Sequence, residues 1–152
     1  IHEGYGSGGG QYADIVLRMS DSGKKTVLDY GCGKASLSLA LPQLSITNYD
    51  PCIPDYNNRP GKHSLVVCTD VLEHIELDYL NNVLADLRFL TADLGFFSIS
   101  CRPASKSLPD GRNTHLIQES SEWWMDKLLE AGFTIIEHSY IDEVDSGYFT
   151  VR

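Results

Sequence analysis

The sequence lacks the features that direct a protein into or across a membrane. No apolar run approaches the roughly 20 residues that a membrane-spanning helix needs. The glycine-rich, polar stretch over residues 1–10 does not have the pattern of a signal peptide. From these absences we expect a cytoplasmic protein.

The sequence also lacks the cysteine spacings that mark zinc ribbons and thioredoxin-like sites. Its four cysteines form no CxxC pair. We therefore expect small buried thiols in a reducing compartment and no metal ligands. All four follow or end predicted strands, so they fall near one edge of the predicted sheet: Cys32, Cys52, Cys68 and Cys101.

Basic residues are scarce. The chain has 12 Lys and Arg against 21 Asp and Glu, a formal net charge of −9. An acidic surface repels nucleic-acid phosphates at long range, although a local basic patch would override the total. The charge therefore favours a small-molecule or anionic substrate, leaves nucleic acid open, and does not indicate the oligomeric state.

What is present is typical of one globular domain. The chain has 152 residues, of which 42% are apolar and 22% charged, enough for a sizeable core. We expect a flexible N-terminal arm over residues 1–11 and a single domain over residues 12–152. The arm is either a disordered tail or a flap that brings Tyr5 and Tyr12 to a ligand.

Hydrophobic periodicity predicts alternating strands and helices. The predicted helices cover residues 12–22, 35–41, 77–90 and 122–131, the last capped by Ser121, and the predicted strands cover residues 26–30, 45–49, 64–69, 95–100, 133–141 and 148–151. This order predicts a mainly parallel, Rossmann-like α/β sheet with helices on both faces and a C-terminal antiparallel hairpin. Ligands of such sheets bind at the carboxyl ends of the strands.

A glycine turn follows the first predicted strand. Gly31 and Gly33 leave room for a ligand against bare backbone, and Asp29 stands just before them. A dinucleotide-binding turn needs a third glycine or alanine where this chain has Ser36, and no P-loop motif is present. A carboxylate here suits a cofactor that carries positive charge, such as S-adenosylmethionine.

The segment Asp29-Tyr30-Gly31-Cys32-Gly33-Lys34-Ala35 resembles the D-x-G-x-G-x-G motif of class I S-adenosylmethionine-dependent methyltransferases. Asp50, the segment Asp70 to Ile75 and the closing hairpin also match this family, so the resemblance spans roughly residues 12–152. The loop Arg112-Asn113-x-His115-Leu116-Ile117 and the Trp123-Trp124 pair resemble small methyltransferases of bacteria and their phages.

The resemblance implies S-adenosylmethionine as cofactor, with S-adenosylhomocysteine as product. It places Asp29 near the cofactor's amino group and Asp50 at the ribose hydroxyls. The full predicted cofactor set is Asp29, Gly31, Cys32, Gly33, Asp50, Pro51, Cys52, Ile53, Asp70, Val71, Tyr5 and Tyr12. Residues 51–64 are too few for the family's third strand and its helix, so we expect both to be reduced or missing, with the adenine covered by neighbours of Asp50 or Asp70.

The predicted substrate residues are Thr69, Arg102, Arg112, Asn113 and His115. The cationic side chains of this loop would bind an anionic group of the substrate, and His115 or His74 would transfer a proton. The alternative is that the loop is simply solvated and that His74 has a structural role. The expected function is methyl transfer to an unidentified acceptor. The alternatives are a non-catalytic cofactor-binding or protein-interaction module and, disfavoured by Asp29 and Ser36, a dinucleotide-dependent oxidoreductase.

Overall fold

A six-stranded sheet in the order β2-β1-β3-β4-β6-β5 forms the centre of the computed structural model, which describes residues 8–152. The strands are β1 (Val27–Tyr30), β2 (Ile46–Tyr49), β3 (His63–Thr69), β4 (Thr91–Ser100), β5 (Ile135–Ile141) and β6 (Ser146–Val151). Strands β1 to β4 are parallel, and β6 runs antiparallel to both β4 and β5. The predicted Rossmann-like architecture is confirmed. Tyr5 lies outside the described residues.

The described residues also form four α-helices, of which the first precedes β1 and the other three connect strands: α1 (Ala13–Met19), α2 (Ser36–Ala40), α3 (Leu77–Leu90) and α4 (Ser121–Glu130). Single 3-10 turns cover Gly9–Tyr12, Pro54–Tyr56 and Leu72–His74. Within residues 8–152, no helix has the length and apolarity needed to cross a membrane.

The sheet buries one apolar cluster on each face. Alternate side chains of β3 point to opposite sides, as the pleat requires, so Val66 joins one cluster and Leu65 the other. The leucine stripe of α3 and the α4 residue Trp124 cover the first face, while Val16 of α1 packs on the second. Both faces of the sheet are therefore covered by helices, as the near-continuous apolar strands predict.

The predicted loss of a strand is confirmed at the outer edge of the sheet. Between β2 and β3 the chain, described throughout this interval, forms only the 3-10 turn Pro54–Tyr56. The Asp50 amide donates to the Tyr56 carbonyl at 2.9 Å, which closes this segment into a compact loop. Strand β2 is consequently the edge of the sheet.

Several predicted element boundaries are wrong, and for three of them the structure shows the reason. Helix α1 ends at Met19 rather than residue 22, because Asp21 and Ser22 adopt positive φ angles. Strand β4 begins at Thr91, four residues early, because pairing with β3 extends it through a sequence of weak β propensity. Ser120, not Ser121, caps α4: its hydroxyl oxygen accepts a hydrogen bond from the Trp123 amide at 3.1 Å.

The turn after β1 requires a residue without a side chain at Gly31. Its φ is 80°, and a Cβ there would lie 2.4 Å from Cγ2 of Val71. We predict that Gly31→Ala lowers the free energy of unfolding by about 3 kcal/mol, from backbone strain and overpacking together. Urea unfolding measures this loss.

Gly111 provides the matched control. Its φ is 89°, but a Cβ there would meet no atom within 4 Å. Gly111→Ala therefore carries the backbone strain alone, about 1 kcal/mol. Equal losses in the two variants would contradict the close packing of Val71 against the turn.

Candidate active site

The glycine turn is held by the end of the neighbouring strand. The amides of Gly31 and Cys32 both donate to the Tyr49 carbonyl, at 2.7 and 3.0 Å. At the position of the motif's third glycine, Ala35 adopts a left-handed φ of 56°, so this small residue keeps the turn conformation. Helix α2 begins immediately afterwards, at Ser36.

Asp50 ties the turn to the loop that follows β2. One carboxylate oxygen accepts a hydrogen bond from the Gly33 amide at 3.1 Å, and the other accepts from the Cys52 amide at 2.9 Å. The residue is only 7% exposed. Because a carboxylate has about four acceptor sites, two remain for hydroxyl donors such as those of a ribose.

Asp29 lies deeper in the same corner. Burial, with the nearby charge of Asp50, raises the pKa of the Asp29 carboxyl to about 7. A buried carboxylate in this condition favours a cationic partner, because a positive charge would offset its loss of hydration.

The four cysteines near this edge are all free. The predicted burial is confirmed for Cys32 and Cys68, whereas Cys52 is exposed and Cys101 half-buried. Burial raises the pKa of the Cys32 thiol to about 12, with further contributions from Asp29 and Asp50, so this group stays protonated and uncharged.

Asp70 occupies the carboxyl end of β3 in a left-handed conformation, with a φ of 55°. Its carboxylate oxygens accept hydrogen bonds from the Ser98 hydroxyl at 3.2 Å and from the Tyr12 hydroxyl at 3.4 Å. Burial raises the pKa of the Asp70 carboxyl. Two residues of the predicted cofactor set, Tyr12 and Asp70, are therefore in contact across the strand ends.

Tyr12 reaches this position because the 3-10 turn before α1 packs on α2. The Gly10 amide donates to the Ser36 hydroxyl at 3.2 Å, and the Tyr12 ring meets Phe96 edge-on at 5.8 Å between centroids. Ser98 was missed by the sequence reasoning. The available signal was a serine at the carboxyl end of an otherwise apolar buried strand.

The other members of the predicted cofactor set lie around this corner. Val71 packs against the Gly31 turn. Pro51 and Cys52 are exposed and Ile53 is half-buried, all in the short segment that replaces the missing strand. Thr69, from the predicted substrate set, ends β3 next to Asp70 and is half-buried.

Two residues of the predicted substrate set make polar contacts within the protein. The Asn113 amide oxygen accepts from the Ala104 and His115 amides, both at 2.9 Å, and its nitrogen donates to the Ala104 carbonyl at 2.9 Å. The Arg112 guanidinium pairs with Asp110 and Glu76, each at 2.9 Å. Both side chains thus organise the loop over residues 101–118. Arg102 is exposed.

The two predicted catalytic histidines meet where this loop packs against the 3-10 turn Leu72–His74. His74 Nδ1 donates to the Thr114 carbonyl at 2.8 Å, and His115 Nδ1 donates to the Arg102 carbonyl at 2.6 Å. Their rings lie edge to face with centroids 4.7 Å apart. Burial, and to a smaller extent the neighbouring His115, lower the pKa of His74 and so favour its neutral imidazole.

Glu73, beside His74, was also missed. It is fully buried, and one of its carboxylate oxygens accepts a hydrogen bond from the Ser100 amide at 3.0 Å. Burial raises the pKa of the Glu73 carboxyl to about 8. The sequence offered no clear signal, since a glutamate in a helical first turn is usually exposed.

Comparisons with known proteins agree with this geometry. A family model described as a methyltransferase domain matches residues 6–141. No curated protein sequence matches the chain.

Several solved structures share the fold at low sequence identity. One is the 1,6-didemethyltoxoflavin-N1-methyltransferase of Burkholderia thailandensis with bound 1,6-didemethyltoxoflavin and S-adenosylhomocysteine, at a TM-score of 0.67 and 17% identity, covering 96% of this chain and 78% of that one. A second is the magnesium protoporphyrin IX methyltransferase of Synechocystis PCC 6803 with bound S-adenosylhomocysteine, at a TM-score of 0.64 and 20% identity, covering 93% and 82%.

A third is an S-adenosylmethionine-dependent methyltransferase of Clostridium acetobutylicum ATCC 824, at a TM-score of 0.68 and 12% identity, covering 93% of this chain and 90% of that one. The family match extends over most of the sequence and includes the glycine turn, Asp50 and the segment after β3. The chain therefore belongs to the class I S-adenosylmethionine-dependent methyltransferases.

Proposed function

We propose that this protein binds S-adenosylmethionine at the glycine turn and transfers its methyl group to a small-molecule acceptor. The observation that carries the proposal is the pairing of two buried acids at that turn. Asp50 is satisfied by backbone amides, whereas Asp29 is buried with a raised pKa and calls for a cation. The α-amino group of S-adenosylmethionine supplies such a cation.

Each element of the turn has a role in this arrangement. Gly31 and Gly33 let the cofactor approach the backbone closely. Asp29 attracts the amino group, and the remaining acceptor sites of Asp50 receive the ribose hydroxyls. Cys52 and Ile53 lie next to Asp50 and provide the adenine side of a site shortened by the missing strand.

A small-molecule acceptor fits both the charge and the comparisons. The net charge of −9 disfavours a polyanionic substrate. The Burkholderia thailandensis enzyme, which shares the fold, was crystallised with a small heterocyclic compound. By analogy we place the acceptor at the strand ends near Thr69 and Asp70, beneath the loop that carries His115.

Methyl transfer is an in-line displacement. A new bond forms between the acceptor atom and the methyl carbon while the carbon–sulfur bond breaks, and S-adenosylhomocysteine leaves with the electron pair. The protein contributes mainly alignment of the two reactants. His74 and His115 as general bases remain a prediction; because Nδ1 of each donates to a carbonyl, Nε2 carries the free lone pair.

We predict that Asp50→Ala weakens the binding of both S-adenosylmethionine and S-adenosylhomocysteine by about 30- to 100-fold. The variant loses the ribose acceptor and also frees the amides of Gly33 and Cys52, a combined cost of about 2–3 kcal/mol. Isothermal titration calorimetry measures both affinities.

The control is Asp78→Ala, which removes an exposed carboxylate from the first turn of α3. We expect its affinities to equal those of the unaltered protein. If the unaltered protein binds neither ligand, the proposed function is wrong.

Asp29 makes cofactor binding depend on pH. Its pKa of about 7 means that below pH 7 the carboxyl must first lose a proton to pair with the cofactor's amino group. We predict that affinity for S-adenosylhomocysteine rises about 15-fold between pH 5.5 and pH 7, and levels off above pH 8. In Asp29→Asn binding is weaker and this rise disappears. An equal rise in the variant would assign the pH dependence to another group.

The same group affects stability in the ligand-free protein. Because the pKa of Asp29 is higher in the folded than in the unfolded protein, the folded protein keeps this proton to a higher pH. This contribution to the free energy of unfolding is fully present below about pH 4 and is lost as the pH rises through 7. We expect urea unfolding at pH 5 and pH 8 to show a smaller difference in Asp29→Asn.

A further inference from the structure

A second cluster of ligating groups lies where the 3-10 turn Leu72–His74 meets the loop over residues 101–118. Glu73, His74 and His115 each offer one ligand atom, and these atoms all lie within 4.8 Å of one another. Two of the residues are adjacent in sequence, and the third lies 41 positions further along the chain, in the loop. The folded chain alone brings them together.

Glu73 contributes an unsatisfied buried oxygen. The residue has no exposed surface, and its Oε1 accepts from the Ser100 amide. Its Oε2 is buried and has no hydrogen-bond partner within residues 8–152. A buried carboxylate oxygen without a partner is costly, so it marks a position where a cation would be favourable.

The two histidines are oriented as metal ligands usually are. Each donates its Nδ1 proton to a backbone carbonyl, His74 to Thr114 and His115 to Arg102. This hydrogen bond fixes the tautomer and leaves the lone pair on Nε2. Metal-binding histidines commonly hold their second nitrogen in this way, which sets the ring orientation and raises the basicity of the ligating atom.

We propose that Glu73, His74 and His115 form a binding site for one divalent first-row transition-metal ion. Two imidazoles and one carboxylate suit zinc, cobalt or manganese better than magnesium, which prefers oxygen ligands. Ligand atoms around such an ion are about 3–3.5 Å apart, given metal–ligand bonds of about 2.1 Å. The ligand atoms must therefore move slightly closer together when the ion binds, and we expect His115, which lies in a loop, to make this movement.

Metal binding would join two segments that are far apart in the chain. Glu73 is bonded to the Ser100 amide at the end of β4, and His115 belongs to the loop over residues 101–118. Three protein ligands leave at least one position for water or for an oxygen atom of the methyl acceptor. That last assignment rests on the proposed function; the binding of the metal does not.

Metal coordination and base catalysis exclude each other at these residues, because both use the same Nε2 lone pairs. If the site is loaded, the histidines hold the ion and do not take the acceptor's proton. The general-base prediction for His74 and His115 is therefore tested by the same experiment.

The experiment titrates tag-free protein, stripped with a chelator, with Co²⁺ and with Zn²⁺. We expect one ion per chain, with visible Co²⁺ absorption bands that Zn²⁺ removes. At a hundredfold excess over the dissociation constant we expect the Tm to rise by about 5 °C or more. Mg²⁺ at the same concentration should have little effect.

Three variants locate the ion. His115→Ala and Glu73→Gln should each weaken binding at least tenfold, and Glu73→Gln keeps an oxygen for the Ser100 amide. His63→Ala removes a partly exposed histidine outside the cluster, whose ring bonds Gly61 and Thr47, and should leave binding unchanged. If Glu73→Gln does not fold, His115→Ala alone decides.

Two results would overturn the site: no Co²⁺ or Zn²⁺ bound at micromolar concentration, or binding that His115→Ala leaves intact. S-adenosylhomocysteine affinity is measured on the same samples. If the protein binds S-adenosylhomocysteine but no metal ion, only this metal site is rejected. If the unaltered protein does not bind S-adenosylhomocysteine, the proposed function is rejected.

Discussion

The carboxylate of Asp50 is the interaction on which the cofactor side of the molecule depends. It bonds the Gly33 amide of one loop and the Cys52 amide of the next. The Tyr49 carbonyl, one residue earlier, receives the amides of Gly31 and Cys32. The turn after β1 is therefore shaped by the end of β2. This arrangement explains how the site keeps its form although β2 is an edge strand without the family's usual outer neighbour.

Acidic side chains at the strand ends differ in how they are satisfied, and that difference separates their roles. Asp50 is buried but bonded by amides. Asp29 is buried with a pKa raised to about 7, and Glu73 is buried with one oxygen unpartnered. Burial of a carboxylate is unfavourable without a compensating charge. The structure thus places two buried carboxyl groups with raised pKa values at one edge of the sheet, where a cationic group of a cofactor or a metal ion would stabilise their ionised forms.

Local sequence patterns predicted the regular parts of the fold well. The leucine spacing of α3 and the buried strands specified both faces of the sheet, and the shortness of residues 51–64 predicted the missing strand. Predictions failed where tertiary contacts override local preference. Strand β4 starts at Thr91 because β3 pairs with it there. The substrate roles of Asn113 and Arg112 stay predictions. In the structure Asn113 bonds Ala104 of its own loop and Arg112 pairs with Glu76, and residue type alone does not reveal such partners.

The sequence by itself determined the family, the glycine turn and the acids Asp29 and Asp50, because a turn motif needs particular residues at fixed local spacing. Only the tertiary structure decided which distant groups meet. It placed Tyr12 against Asp70 and gathered Glu73, His74 and His115 into one cluster. It also showed that one oxygen of Glu73 is buried without a partner. Burial and hydrogen bonding depend on contacts between segments far apart in the chain, so no local pattern contains them.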